Sequence, residues 1–214
     1  MRWLLLLIII CVGCTTEEEK SMTLHDAVAN NNLQQVRELL AQQNVQVDAL
    51  NGKQETPLLV ATHHNYIDIA KALIDAGADI NKQDAIQDSP YLYAGAQGKT
   101  DILAYMLEHR EPNQSVYNRY GGNALIPAAE KGHLDNVKLL LADGRVDIDH
   151  QNNFGYTALI EAVALTDGSE LYQTIVQELL RYNARTDLKD NQQMTALDYA
   201  IQKDYKEMIV LLQP

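Results

Sequence analysis

The chain has 214 residues, of which 46% are hydrophobic and 21% charged, a balance that excludes intrinsic disorder and is long enough for one domain with a substantial core. Lys and Arg total 17 against 29 Asp and Glu, giving a formal charge of -12 that repels phosphate backbones and so argues against nucleic acid as a partner. An acidic surface suits a basic protein patch, although charge of this size also serves solubility alone.

The chain opens with Met1 and Arg2, followed by an unbroken apolar run from Trp3 to Val12. As a helix this run would measure ~15 Å, half of a ~30 Å hydrocarbon core, which fits the apolar region of a signal peptide better than a membrane span. Val12-Gly13-Cys14 resembles the bacterial lipobox, with Cys11 standing where that motif usually carries Leu. The resemblance implies a signal peptide over residues 1–13 and lipid on Cys14, with several acyl chains giving firm membrane anchorage. Thr15, where an Asp would hold such proteins at the inner membrane, favours the outer membrane, facing the periplasm. An ordinary or uncleaved signal peptide is the competing reading. Removal of Cys11 with the signal would leave no pair of cysteines to form a disulfide within the chain. Residues 14–21 then form an acidic tether, in which seven residues reach at most ~25 Å and Glu17, Glu18 and Glu19 avoid anionic headgroups.

From Met22 onward the sequence repeats. Six openings align in chain order: MTLHDA at 22, TPLLVA at 56, SPYLYA at 89, NALIPA at 123, TALIEA at 157 and TALDYA at 195. Each precedes an amphipathic stretch such as LQQVRELL, IDIAKALI or LDNVKLLL, so each unit reads as two short helices. Thr56 and Ser89 are placed to cap the first helix, with Pro57 and Pro90 at its first position, where a missing N–H costs nothing. Nine residues beyond the openings come Asn31, Asn65, Gly98, Gly132 and Asp204, residue types that tolerate the left-handed conformation ending a helix. Leu39-Leu40, Leu73-Ile74, Leu139-Leu140 and Leu179-Leu180 are expected to form the buried stripe of the second helices.

These segments resemble ankyrin repeats, whose period is 33 residues and whose opening is T-P-L-H-x-A. The resemblance covers residues 22–214 and implies an all-α solenoid of about six helix-turn-helix repeats joined by short hairpin loops. At ~10 Å between packed helices, six units would stack to roughly 50–60 Å. The family's histidine survives at His25 alone, where it is implied to make structural hydrogen bonds. The sequence departs from the pattern twice. Repeat three ends in LEHREPNQSV rather than a GADIN-type loop, and repeat five carries about five extra residues near 164–172, expected to project from one face.

The sequence carries no catalytic constellation: it has no nucleophile elbow, phosphate loop or H-E-x-x-H motif. His63 and His64 are adjacent and diverge by ~100° on a helix, so they cannot easily grip one metal, and they are expected to be exposed. In VDIDH, residues 146–150, the acids are expected to serve turn hydrogen bonds. Enzyme activity, a cofactor, a metal and a small-molecule substrate are therefore not expected. The resemblance implies a protein partner docking on the hairpin tips and the ends of the first helices. The residues singled out there are Arg119, Tyr120, Phe154 and Tyr156 on the tips, and His63, His64, Glu130 and Lys131 on the helix ends. Replacing Phe154 and Tyr156 by Ala should weaken docking without unfolding the stack. A toxin-neutralising immunity protein and an accessory of an envelope stress enzyme are the alternatives within this class. A host-directed effector and a hydrolase or metalloenzyme lie outside it.

Overall fold

A computed structural model describes residues 22–213. The signal-like segment, Cys14 and the acidic tether lie outside the described residues. Among those described, the chain forms helices in six consecutive pairs with no strands. The pairs are α1 (Leu24–Ala29) with α2 (Leu33–Leu40), α3 (Pro57–His63) with α4 (Ile67–Asp75), and α5 (Pro90–Ala96) with α6 (Thr100–His109). They continue with α7 (Leu125–Glu130) and α8 (Leu134–Asp143), α9 (Ala158–Ala164) and α10 (Glu170–Arg181), and α11 (Ala196–Gln202) and α12 (Lys206–Leu212). No described helix is long and apolar enough to cross a membrane.

Local chemistry fixes where each pair begins and turns. Thr56 accepts from the Leu59 amide, Ser89 from Leu92, Thr157 from Ile160 and Thr195 from Asp198, so side-chain oxygens satisfy amides that a helix start leaves unpaired. In the first repeat the cap falls on Thr23, one residue beyond the opening Met22, because Thr23 and Asp26 close a reciprocal capping box. Asn31, Asn65, Gly98, Gly132 and Asp204 all take positive φ, between 50° and 75°, and turn the chain into the second helix. In repeat five the insertion moves this role to Gly168, φ +72°.

First helices stack on first helices, from α1 through α3, α5, α7 and α9 to α11, and second helices stack likewise from α2 to α12. Neither helix of a pair covers its own apolar face; the next repeat does, and one continuous core runs through the stack. Leu58, Leu73, Ile74, Ile102, Leu103, Met106, Leu125, Leu140 and Leu159 are among its largest sealed side chains. The expected leucine stripe holds in α4; in α8 and α10 Leu140 and Leu179 are sealed but Leu139 and Leu180 are half-buried, and in α2 it shifts. There Val36 is sealed and Leu39 and Leu40 are only half-buried, because the terminal repeat has a neighbour on one side only.

The loops between repeats are organised by a residue that recurs with the repeat. Asn51, Asp84, Asn118, Asn152 and Asp190 each accept, through Oδ1, the amides two and four residues on, at 2.8–3.0 Å. This Asx geometry folds each tip into the same tight turn. Of the VDIDH acids, Asp147 serves the turn as expected, accepting from the Asp149 amide at 3.1 Å, whereas Asp149 accepts from the Arg185 amide at 2.9 Å and so ties adjacent repeats together. His25 reaches the Glu55 carbonyl at 3.0 Å, the structural role that the resemblance implies for it.

The remodelled end of repeat three is closed by arginines. Arg145 donates to the Leu107 carbonyl at 2.7 Å and the Arg110 carbonyl at 3.2 Å, satisfying the end of α6, and Asp143 holds its guanidinium. Arg110 in turn donates to the Ile74 carbonyl. The insertion in repeat five lengthens α10 to 12 residues and leaves Leu165 half in solvent beside the first-helix face.

Candidate functional site

The tips and the first helices share one face, and a cleft lies on it between repeats four and five. The cleft, of about 430 Å³, is bounded by Tyr120 and Phe154 from adjacent tips, Pro127 and Glu130 from α7, Glu161 from α9 and Leu165 from the insertion. A smaller depression of about 300 Å³ adjoins it toward repeat three, where Asp88, Tyr93, Arg119 and Lys131 line the wall.

The aromatics form a row along this face. The Tyr120 and Phe154 rings are 6.4 Å apart, Phe154 and Tyr156 6.2 Å, and Tyr156 meets Tyr199 edge-on at 6.3 Å. These separations fit offset and edge contacts between ring quadrupoles. Tyr120 and Phe154 remain 53% and 54% exposed, so their packing on each other leaves half of each ring open. The tips are also tied by backbone: the Asn153 amide donates to the Tyr120 carbonyl at 2.9 Å and the Asn191 amide to the Phe154 carbonyl at 3.1 Å. Tyr156 is half-buried, its hydroxyl 3.5 Å from that of Tyr199, which donates to Asp190 at 2.5 Å. The Tyr156 ring also packs against the core, so truncating it removes packing as well as exposed surface.

Glu161 is the unusual group. It is 94% buried, and Asn152 Nδ2 donates to its Oε1 at 2.8 Å. Its pKa is pushed up to about 8, first by burial and then by the charge of Glu130, with the Asn152 bond opposing. Asn152 thus does two things at once. Its oxygen shapes the tip that carries Phe154 and Tyr156, and its amide holds the acid beneath them.

The other sequence-derived positions sit nearby but play mixed parts. Arg119 lies 3.6 Å from Asp88, and its guanidinium is 5.3 Å from the Tyr120 ring centre, so it braces the tip before it. Burial raises the Asp88 pKa, and Arg119 opposes that rise. Lys131 is exposed at the end of α7, with Glu130 half-buried before it.

His63 corrects the expectation of exposure. It is half-buried, its ring 4.2 Å from Tyr93 of the next repeat and its Nδ1 3.5 Å from Glu55. Burial lowers its pKa, and Glu55 opposes the shift. His64 points elsewhere and stacks on Tyr66 at 5.2 Å, so the two rings diverge as their adjacency requires. Among the described residues, no three His, Cys, Asp or Glu side chains converge in a way that could hold a metal.

Sequence reasoning missed Glu161, Asn152 and Asp190. Their signal was present as a break in the repeat. The position that is Val60, Tyr93, Pro127 and Tyr199 elsewhere carries a carboxylate only at Glu161 and, in the terminal repeat, at Asp26.

Comparison with known proteins agrees with this architecture. A family profile described as ankyrin repeats (3 copies) matches residues 3–84 and 144–213, and one described as ankyrin repeats (many copies) matches 106–162. The chain is 36% identical to the ankyrin repeat protein YahD of Escherichia coli (strain K12) over 168 residues, covering 78% of this chain and 83% of that protein. A crystal structure of the ankyrin repeat protein EF0377 aligns with a TM-score of 0.88 at 59% identity, covering 89% of this chain and 96% of that one. An ankyrin repeat domain from Acinetobacter baumannii AYE aligns with a TM-score of 0.85 at 47% identity, over 88% and 95% of the two chains. Repeats of this kind typically bind protein partners and generally form non-catalytic scaffolds. The protein belongs to the ankyrin-repeat family, as an interaction module whose described residues form six stacked helix pairs.

Proposed function

We propose that this chain is a non-catalytic docking protein of the bacterial envelope, held by lipid on Cys14 and facing the periplasm, that binds a protein through its tip face. The envelope placement is supported by the charged start, the apolar run from Trp3 to Val12 and the Gly13-Cys14 pair, with Thr15 favouring the outer membrane. The docking face is supported above all by one observation. Tyr120 and Phe154 stand half-exposed on a rigid frame of Asx turns, over a cleft with a buried acid. Aromatic anchors that are already ordered lose little entropy on binding, which is what makes such residues interface hot spots.

The test replaces both half-exposed rings. The full chain and its Tyr120→Ala, Phe154→Ala double variant are used as bait against detergent-solubilised membranes of the source cells, with mass spectrometry of both prey and bait N-terminus. The expected result is a partner whose Kd weakens at least ~10-fold in the variant, with a diacylglyceryl-modified Cys14 as the first residue. Unchanged affinity rejects the face. An unmodified N-terminus rejects the anchor.

A further inference from the structure

A buried carboxyl group needs a reason to sit beneath a surface cleft. Asn152 satisfies Glu161 Oε1; the other carboxyl oxygen makes no hydrogen bond among the described residues, and the residue lines the cleft. Glu130 adds a second acid on the α7 wall. The remaining walls include three rings, Tyr120, Phe154 and Tyr156, beside aliphatic Ile126, Pro127 and Leu165. Ring faces attract cations, by an amount that grows when the cation is desolvated. A cleft of about 430 Å³ accepts one long side chain but not a folded element.

We propose that this cleft takes a lysine or arginine side chain from a basic protein partner, pairing its charge with Glu161 and Glu130 and laying its methylenes against Tyr120, Phe154 and Tyr156. This rests on the tip face being the docking surface, and it names the chemistry that the face reads. An apolar anchor would cover the open carboxyl oxygen without giving it a hydrogen bond, which is costly in a dry site. An acidic peptide or an anionic headgroup would meet two acids on a chain of net charge -12. A cationic side chain alone supplies a charge-assisted bond to the acid and a favourable contact to the rings.

Proton balance follows from the same geometry. In the free protein, burial and Glu130 keep Glu161 protonated at neutral pH, its pKa being about 8. The ionisable groups on the other neighbours of α9 are already engaged. On the α11 side Tyr199 donates to Asp190, and Tyr172 of α10 donates to the Glu130 carbonyl. Lys131 is exposed beyond them. An arriving cation stabilises the carboxylate, so docking transfers the Glu161 proton to solvent. Affinity therefore rises with pH, by up to about tenfold per unit below pH 8, and levels off above it.

The probes are acetyl-Gly-Arg-Gly-amide and acetyl-Gly-Lys-Gly-amide, with the neutral citrulline and norleucine peptides as isosteres. Each is titrated to ~10 mM into the full chain while amide resonances of Phe154, Tyr156 and Glu161 are followed by NMR. The cationic peptides should shift these resonances and bind at least ~5-fold more tightly at pH 8 than at pH 6, and the neutral ones should not. Glu161→Gln keeps the shape and an acceptor for Asn152. It should flatten the pH dependence and weaken binding about 10-fold at pH 8.5, with an unchanged circular dichroism spectrum. Equal binding of the neutral peptides, no shift with any peptide, or an unaltered Glu161→Gln titration overturns the inference. If a captured partner is lost on Tyr120→Ala, Phe154→Ala but binds Glu161→Gln normally, the cation reading fails and the docking face stands. If the alanine pair has no effect, the docking face itself fails.

Discussion

Glu161→Gln is also expected to stabilise the protein, by an amount that depends on pH in a defined way. Burial and Glu130 raise the Glu161 pKa from an ordinary 4.5 to about 8 on folding. The unfolded chain therefore releases this proton more readily than the folded one. The stability tied to the protonated acid is complete below pH 4.5, and it is lost progressively as pH rises through 8. At ~1.36 kcal/mol per pH unit, the loss is about 1.4 kcal/mol at pH 5.5 and about 4 kcal/mol at pH 7.5. Glutamine cannot ionise, so it escapes this loss. Any packing or hydrogen-bond difference between Gln and protonated Glu is independent of pH and drops out of the comparison. Urea denaturation of the wild-type chain and the variant at both pH values should show the stability gap widening in favour of the variant by about 2.5 kcal/mol. A gap that stays constant within ~0.5 kcal/mol would refute the reasoning, because Glu161 would then ionise in the fold as easily as in water.

Three further outcomes follow from the geometry. Gly144 and Gly155 share a left-handed backbone, φ +75° and +80°, but a Cβ on Gly155 would lie 2.8 Å from the Asn191 nitrogen and the Asp190 Cα, whereas one on Gly144 meets nothing. Gly144→Ala should cost about 1 kcal/mol from backbone strain and Gly155→Ala at least twice that, and equal losses in urea denaturation would contradict the close approach of the two tips. Arg145→Ala should cost about 2 kcal/mol and speed hydrogen exchange at the end of α6, because the Leu107 and Arg110 carbonyls lose their donor. Arg145→Lys should recover less than half of that stability, since an ammonium group cannot span both carbonyls and Asp143; full recovery in the same assay would show that charge alone matters.

The sequence made the helix pairs legible because their signals are local. Thr56, Ser89 and Thr157 cap amides only three residues away, and Asn31, Gly98 and Asp204 turn the chain by their own backbone preference. The buried alanines of the first helices, such as Ala61, Ala94 and Ala162, could be read for the same reason, since a thin helix is a property of its own residues. The cleft was harder to read because its character comes from neighbours in space. His63 looked exposed until Tyr93, thirty residues on, covered it. For Tyr156 a docking anchor and a structural stack on the adjacent hairpin were equally open from sequence, and its hydroxyl meets Tyr199 from the following repeat. Glu161 is strongly perturbed, and no local pattern predicts that the Asn152 tip and α7 will close over it. A comparison of repeats position by position could still have found it, since a carboxylate stands where repeats two, three, four and six place Val60, Tyr93, Pro127 and Tyr199.

Partners are expected to meet the tips and first helices rather than the outer second helices. Site-specific photo-crosslinking tests this directly, with p-benzoylphenylalanine placed singly at Tyr120, at Phe154 and at Lys138, an exposed residue of α8. Irradiation in the source cells should give the same partner adduct from positions 120 and 154 and none from 138. Adducts from 138 alone would place the partner on the opposite side of the stack and contradict the account.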